Sequence, residues 1–249
     1  MGRVIYEPRG RAREYSPLAC NLYRGCSHGC RYCYGPAVSY STLATWSRNV
    51  APRTGVIEAL RHDAAKMRGD KRLVLLCFVC DPYQPIDAEY GLTRQALDIL
   101  GQHNMKVQVL TKGGMVAARD FDLIRKYGVR FGTTLLFTDD KLRAEWEGNA
   151  APVQSRIEAI RMAHDLGIYT WVSVEPVIDP AEALSVIENL HDSVDYWKIG
   201  KLNHMREVEA RIDWHAFYKD VTALLRSLKA KFYIKNDLRA FAQAPLSQV

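Results

Sequence analysis

The sequence predicts an α/β fold, a partial or nearly closed parallel (β/α)6-type barrel, on three observations. Short apolar or β-branched runs alternate with helical patterns from one end to the other, which is the rhythm of βαβ units around a parallel sheet. The chain has 249 residues, a size that α/β barrels commonly reach as one domain, and no linker interrupts it. A cysteine-dense run, Cys26-Ser-His-Gly-Cys30-Arg-Tyr-Cys33, follows the first strand and so falls at the carboxyl edge, where barrels carry their chemistry.

A first strand is expected over Leu18 to Tyr23, running straight into the cysteines. Val56, Ile57, Leu60, Ala64 and Met67 then keep a helical period that Gly69 ends. Leu73 to Val79 reads as a buried strand, Thr93 to Leu100 as a helix, Lys106 to Leu110 as a strand and Arg119 to Lys126 as a helix. The fourth strand is expected over Phe131 to Phe137, and the helix after Pro152 places Ile157, Ile160 and Ala163 on one face before Gly167. Tyr169 to Val174 is the fifth strand, with Pro176 expected to stop its pairing. Asp179-Pro180-Ala181-Glu182 is a helix start, with an acceptor at the N-cap, proline at N1 and an acid at N3. Tyr196 to Gly200 is the sixth strand. Phe217, Val221, Leu224, Leu225 and Leu228 form an amphipathic helix, and Phe232 to Ile234 a short last strand.

No apolar run approaches the roughly 20 residues that cross a bilayer, so a single cytoplasmic domain over 1–249 without a membrane partner is expected. The formal charge is +6, with Arg3, Arg9, Arg11 and Arg13 in a basic arm of about residues 1–16, and Arg24 and Arg31 beside the cysteines. Such an arm is either a solvated tail or a phosphate-neutralising contact for DNA or RNA.

Three thiolates from one short loop can bind three irons of a [4Fe–4S] cluster and leave the fourth iron open. A structural zinc site is the competing reading, with His28 or Cys20 as fourth ligand. A disulfide framework is the weaker one, because no signal peptide precedes the cysteines.

The run Asn21-Leu-Tyr-Arg-Gly-Cys-Ser-His-Gly-Cys-Arg-Tyr-Cys-Tyr34 resembles the motif of the radical S-adenosylmethionine (SAM) superfamily. With Asp81-Pro-Tyr-Gln-Pro85, Thr111-Lys112 and Thr133-Thr134, it resembles the spore photoproduct lyase, or DNA repair photolyase-like, branch. The resemblance implies that Cys26, Cys30 and Cys33 hold a [4Fe–4S] cluster. It implies that SAM chelates the open iron and is cleaved to a 5′-deoxyadenosyl radical by an electron from an external carrier of flavodoxin or ferredoxin type. Tyr32 then lies against the adenine, and Asp81 accepts from the amino group. Thr133 or Thr134 meets the ribose or methionine, Arg156 pairs with the carboxylate, and Glu175 meets the ribose or the substrate. Lys112, Lys198 and Lys201 end strands, where they either attract a phosphate or carbonyl or merely snorkel at the rim. Tyr34 and one of Cys77 and Cys80 are candidates for hydrogen-atom transfer to a substrate radical. If both remain in the strand, alternation places those two cysteines on opposite faces, which leaves one of them as a core residue.

The leading expectation is hydrogen abstraction from a nucleic-acid base by a lyase-like repair enzyme. The alternatives are radical modification of a protein, peptide or small metabolite, and a zinc-stabilised binding protein without catalysis. The chain is short for a spore photoproduct lyase, which puts thymine-dimer repair in doubt.

Overall fold

A computed structural model describes residues 3–242; the first two residues of the expected arm lie outside the described residues. Seven parallel strands form one curled sheet in chain order. They are β1 (Leu18–Cys20), β2 (Leu73–Leu76), β3 (Lys106–Thr111), β4 (Arg130–Thr134), β5 (Thr170–Val177), β6 (Tyr196–Lys201) and β7 (Phe232–Ile234). The main crossover helices are α1 (Val56–Lys66), α2 (Leu92–Gln102), α3 (Phe121–Lys126), α4 (Val153–Asp165), α5 (Pro180–Leu190) and α6 (Trp214–Ser227). Their apolar faces cover the outer side of the sheet, giving a large core that includes Val74, Val109, Phe131, Val172 and Ile199. The expected rhythm of six βα repeats and a short extra strand is present, and Asp179 caps α5 by accepting from the Ala181 and Glu182 amides at 2.8 and 3.2 Å. No helix among the described residues is long and apolar enough to cross a membrane.

Four expectations are corrected. The first strand is split: β1 ends at Cys20, and Tyr23–Arg24 leaves the sheet to pair antiparallel with Ala51–Pro52. β2 ends at Leu76 and β4 at Thr134, because the chain beyond each turns into loops that build the mouth. β5 continues past Pro176 to Val177, which pairs with Lys201 across a register shift after Val174. Proline, lacking an amide donor, is accommodated at that irregularity.

The basic arm is not a free tail. Ile5 is fully buried, Tyr6 bridges to Ala19, and the turn Gly10–Glu14 carries Tyr15 into the concave side of the sheet. There Tyr6, Tyr15, Phe78, Leu110 and Tyr196 pack with Ala19, Leu75 and Trp171. Lys198 Nζ donates to the Glu14 and Tyr15 carbonyls at 3.0 and 2.7 Å, Gln108 Nε2 donates to the Tyr15 carbonyl at 2.8 Å, and Tyr233 donates to the Glu14 carboxylate at 2.9 Å. The arm therefore packs into the lumen, with Arg3, Arg9, Arg11 and Arg13 exposed.

Lys198 is 8% exposed, and burial lowers its pKa to about 8. The unfolded chain, with an ordinary lysine value of 10.5, then binds more protons than the folded one between pH 8 and 10.5. Stability contributed through this group accordingly rises across that window. Urea midpoints at about pH 7.5 and pH 9.5 check it: the upward contribution is expected to vanish in Lys198→Met, and an unchanged pH slope there overturns the assignment.

Two glycines make room for lumen side chains. A Cβ on Gly132 would lie 2.3 Å from the Trp171 ring, and one on Gly200 would lie 2.6 Å from Glu175 Cδ. Gly132→Ala is expected to destabilise the fold by about 1–3 kcal/mol through overpacking, read as a lower urea midpoint with unchanged slope.

Candidate functional site

The cysteine loop leaves β1 and crosses the carboxyl edge of the sheet. Cys30 is buried, and Cys26 and Cys33 are partly covered; all three are free thiols. A segment that the sequence reading passed over holds this loop in place. The helix Asp140–Glu147 ends at Gly148, whose φ of +45° brings its backbone against the loop, where a Cβ would sit 2.7 Å from the His28 carbonyl. Asn149 donates from its backbone N to that carbonyl at 2.8 Å and from Nδ2 to the Ser27 carbonyl at 3.0 Å, while Arg31 N donates to the Trp146 carbonyl at 2.9 Å. The signals were present in the sequence: Asp139 as N-cap, Leu142 and Trp146 four apart, and Gly148 as stop.

Glu147 is fully buried and gathers the polar groups beneath the loop. Arg156, also fully buried, donates from Nη1 to Glu147 Oε2 at 2.6 Å and to the Thr134 carbonyl at 3.0 Å, and from Nε to the Ala151 carbonyl at 2.9 Å. Tyr32 donates its hydroxyl to the same carboxylate, and burial, then the charge of Glu147, raises its pKa well above the ordinary value. Arg156 is thus engaged as the counter-ion of Glu147, and only its Nη2 is buried without a partner. Lys112 stands over the Tyr32 ring at 5.6 Å and makes no side-chain hydrogen bond among the described residues.

Asp81 ties the loops together. Oδ1 accepts from the Tyr83 amide at 2.8 Å and the Thr111 hydroxyl at 2.6 Å, Oδ2 accepts from the Lys112 amide at 2.6 Å, and His28 Nδ1 lies 3.4 Å from Oδ2. With both oxygens engaged, Asp81 tethers the loops to one another. His28 is turned to Asp81, and burial lowers its pKa. Among the described residues no three His, Cys, Asp or Glu side chains are arranged to hold one metal ion.

Thr133 and Thr134 are both buried, and the Thr133 hydroxyl donates to the Thr111 carbonyl at 2.7 Å, a bond between neighbouring strands that engages its one donor. Glu175 sits at the mouth in a small network: it accepts from Lys235 Nζ at 2.6 Å and from the Tyr15 hydroxyl, and burial raises its pKa despite Lys235. Tyr34 donates to the Phe78 carbonyl at 2.7 Å with its ring 5.7 Å from Phe78.

Cys77 and Cys80 both follow the end of β2 at Leu76, so the alternation of a strand does not set their directions. Both are buried in the large core with Leu22 and Tyr23, where their thiols are hydrogen-bonded to each other, burial raises the Cys77 pKa well above ordinary, and Cys80 is close enough to Cys26 to act on its charge. Phe78 between them faces the lumen instead. Neither thiol lies in the lumen cluster.

The residues fit an iron–sulfur cluster and SAM. Three free thiols come from one clamped loop, the Gly35 amide donates to Cys33 Sγ at 3.3 Å, and the uncommitted Lys112 ammonium beside Tyr32 suits a carboxylate.

Comparison with known proteins agrees. The family model of the radical SAM superfamily matches residues 20–194. An uncharacterised protein of Mycobacterium tuberculosis is 30% identical over 166 residues, covering 64% of this chain and 48% of that protein. One of Methanocaldococcus jannaschii is 26% identical over 163 residues, covering 64% and 59%. The match therefore spans about half the length of these relatives. Among solved structures, spore photoproduct lyase complexed with dinucleoside spore photoproduct superposes with a TM-score of 0.69 at 14% identity, covering 94% of this chain and 81% of the lyase. SuiB of Streptococcus suis, bound to S-adenosylmethionine, gives 0.67 at 12% identity, covering 90% and 52%. The curled sheet, the cysteine loop at its carboxyl edge and the family match over most of the chain lead to one assignment: this chain belongs to the radical SAM superfamily, whose members use a [4Fe–4S] cluster and SAM.

Proposed function

We propose that this protein is a radical SAM enzyme acting on a nucleic-acid base presented at the barrel mouth. Cys26, Cys30 and Cys33 hold the cluster, Lys112 binds the SAM carboxylate, and Tyr32 flanks its adenine. When bound, the cluster and SAM supply a 5′-deoxyadenosyl radical that abstracts hydrogen. The observation that carries the substrate reading is the aromatic series leading inward from the cysteine loop. Tyr34 lies 5.7 Å from Phe78, Phe78 lies 5.9 Å from Tyr15, and Tyr15 lies 6.5 Å from Trp171. The outer rings of this series, Tyr34 and the partly covered Phe78, suit stacking on a base that has left its duplex or belongs to a single strand, with Tyr15 and Trp171 packed behind them. Glu175 and Lys235, an acceptor beside a donor, suit the amide edge of such a base. The Glu147–Arg156 pair fixes Tyr32, and the packed arm closes the far side of the lumen against water.

The test is anaerobic reconstitution followed by 5′-deoxyadenosine assay with single-stranded, irradiated and undamaged DNA, with RNA, and with peptides. Nucleic acid is expected to stimulate turnover, with deuterium passing from labelled base into 5′-deoxyadenosine. Turnover indifferent to DNA and RNA, yet raised by a peptide or metabolite, overturns the substrate assignment and keeps the radical chemistry.

A further inference from the structure

From residue 15 to residue 57 the chain carries no Asp, Glu or Lys, while it holds Arg24, Arg31, Arg48 and Arg53, five tyrosines and Trp46. The structure folds this stretch into β1, the cysteine loop and its outer cover. Trp46 packs on Gly35, where a Cβ would lie 2.8 Å from the indole, and its carbonyl accepts from the Cys26 amide at 3.3 Å. Arg24 pairs in the small hairpin with Ala51, which lies three residues beyond Arg48, so the two arginines belong to one region of this cover. Both are exposed and have no acidic partner among the described residues, whereas Arg31 is paired with Glu145 at 2.7 Å and Arg53 donates from Nε to the Tyr23 carbonyl at 3.2 Å. Beside them the turn after Tyr34 presents Val38, 58% exposed, and Tyr40, fully exposed on left-handed backbone at φ +49°. A bulky residue at positive φ is uncommon, and a ring held there in water is an unpartnered contact surface.

The exposed members of this stretch, Arg24, Arg48, Val38 and Tyr40, combine unpaired arginine with an aromatic and an aliphatic side chain, and no lysine or acid occurs among residues 15–57, which suits a protein-binding patch. Nucleic acid is the less favoured partner, since two unpaired arginines neutralise few phosphates. We propose that this face docks an acidic one-electron carrier protein, of flavodoxin or ferredoxin type, that reduces the cluster. The inference rests on the radical SAM reading above. SAM and substrate occupy the mouth, so an electron carrier must approach the cysteine loop from outside, and this cover is the outer surface built directly on that loop. One electron leaves the carrier's reduced flavin or iron–sulfur centre and enters the cluster, with no bond made or broken at the face. Small, charge-steered and transient contacts suit such an encounter.

The experiment compares reduction of the reconstituted protein by photoreduced flavodoxin and by dithionite in wild type, in Arg24→Glu/Arg48→Glu and in Tyr40→Ala. All three sites are exposed, so the fold should be retained, and dithionite must give the same reduced-cluster EPR signal in each. The expected result is a second-order rate with flavodoxin about tenfold lower in the double variant at low salt, and a wild-type rate that falls with ionic strength. Equal flavodoxin rates in all three proteins overturn the proposal. So does a variant that keeps its flavodoxin rate but loses affinity for labelled single-stranded DNA, which gives the face to nucleic acid. A wild type with no cluster reducible by dithionite removes the underlying reading, an outcome distinct from a cluster that dithionite reduces and the carrier reaches equally well in every variant.

Discussion

Replacing Cys30 by alanine is expected to abolish formation of 5′-deoxyadenosine and to drop iron well below the roughly four atoms per chain that a [4Fe–4S] cluster requires. Cys30 is the middle of the three loop thiols and 7% exposed. Burial pushes its pKa to about 12 despite the nearby Lys112 cation, so the thiolate belongs to the metal-loaded form. Two ligands on one loop leave two irons open to solvent, and the cluster is lost. Cys77→Ala is the matched control. Its thiol is more buried still, at 3% exposed, and lies outside the cysteine loop. It should keep iron, sulfide and SAM cleavage while losing some stability to the vacated volume. Iron and sulfide analysis with the 5′-deoxyadenosine assay reads both variants. Cleavage retained in Cys30→Ala, or lost together with the cluster in Cys77→Ala, refutes the assignment of ligands.

The fold was legible in the sequence because parallel strands covered on both faces are written as continuous apolar runs, and the helices between them carry capping and stop residues. β3, α4, α5 and β7 lie within a few residues of their expected limits for that reason. Boundaries at the mouth were less legible. Leu22, Tyr23, Cys77, Phe78 and Leu135 through Phe137 are as apolar as strand residues, yet they leave the sheet, because what they cover is the site and its loops, a tertiary demand with no local signature. The arm illustrates the opposite error. Its arginines suggested solvent or phosphate, but Ile5, Tyr6 and Tyr15, spaced between them, are the residues that choose its place.

The candidate ligands divide along the same line. Three cysteines on one loop declare themselves by spacing, since a loop that short brings them together whatever the rest of the chain does. Asp81 and Thr133 are polar residues at or beyond strand ends and Arg156 lies in the first turn of α4, and their roles depend on which neighbours reach them first. In the structure Asp81 holds Thr111 and Lys112, Thr133 bonds its neighbouring strand, and Arg156 meets Glu147, a residue in a helix that no strand-centred reading reached.

Glu147→Leu is expected to be among the most destabilising single substitutions in the chain, about 3–5 kcal/mol, because it strips a buried guanidinium of its counter-ion. Glu147 and Arg156 are each 0% exposed, and the remaining Arg156 bonds are to neutral carbonyls of Thr134 and Ala151. Removal also orphans the Tyr32 hydroxyl, which has no other partner among the described residues. The magnitude separates two physical accounts. If the pair matters as a charge pair, Arg156→Met alone should destabilise by a similar amount, and the double variant Glu147→Leu/Arg156→Met should recover much of the loss, since two apolar side chains of similar volume remove both desolvation penalties at once. If Glu147 matters as an acceptor for Tyr32 as well, the double variant should fold with near-normal urea midpoint yet bind SAM more weakly, because the ring beside Lys112 is no longer held. Adding Tyr32→Phe to it should then change little. Urea unfolding of the single and double variants, with SAM affinity of the folded ones measured by the change in the reduced-cluster EPR signal, reads both. A double variant no more stable than either single one would show that the buried charges are not what Glu147 and Arg156 contribute.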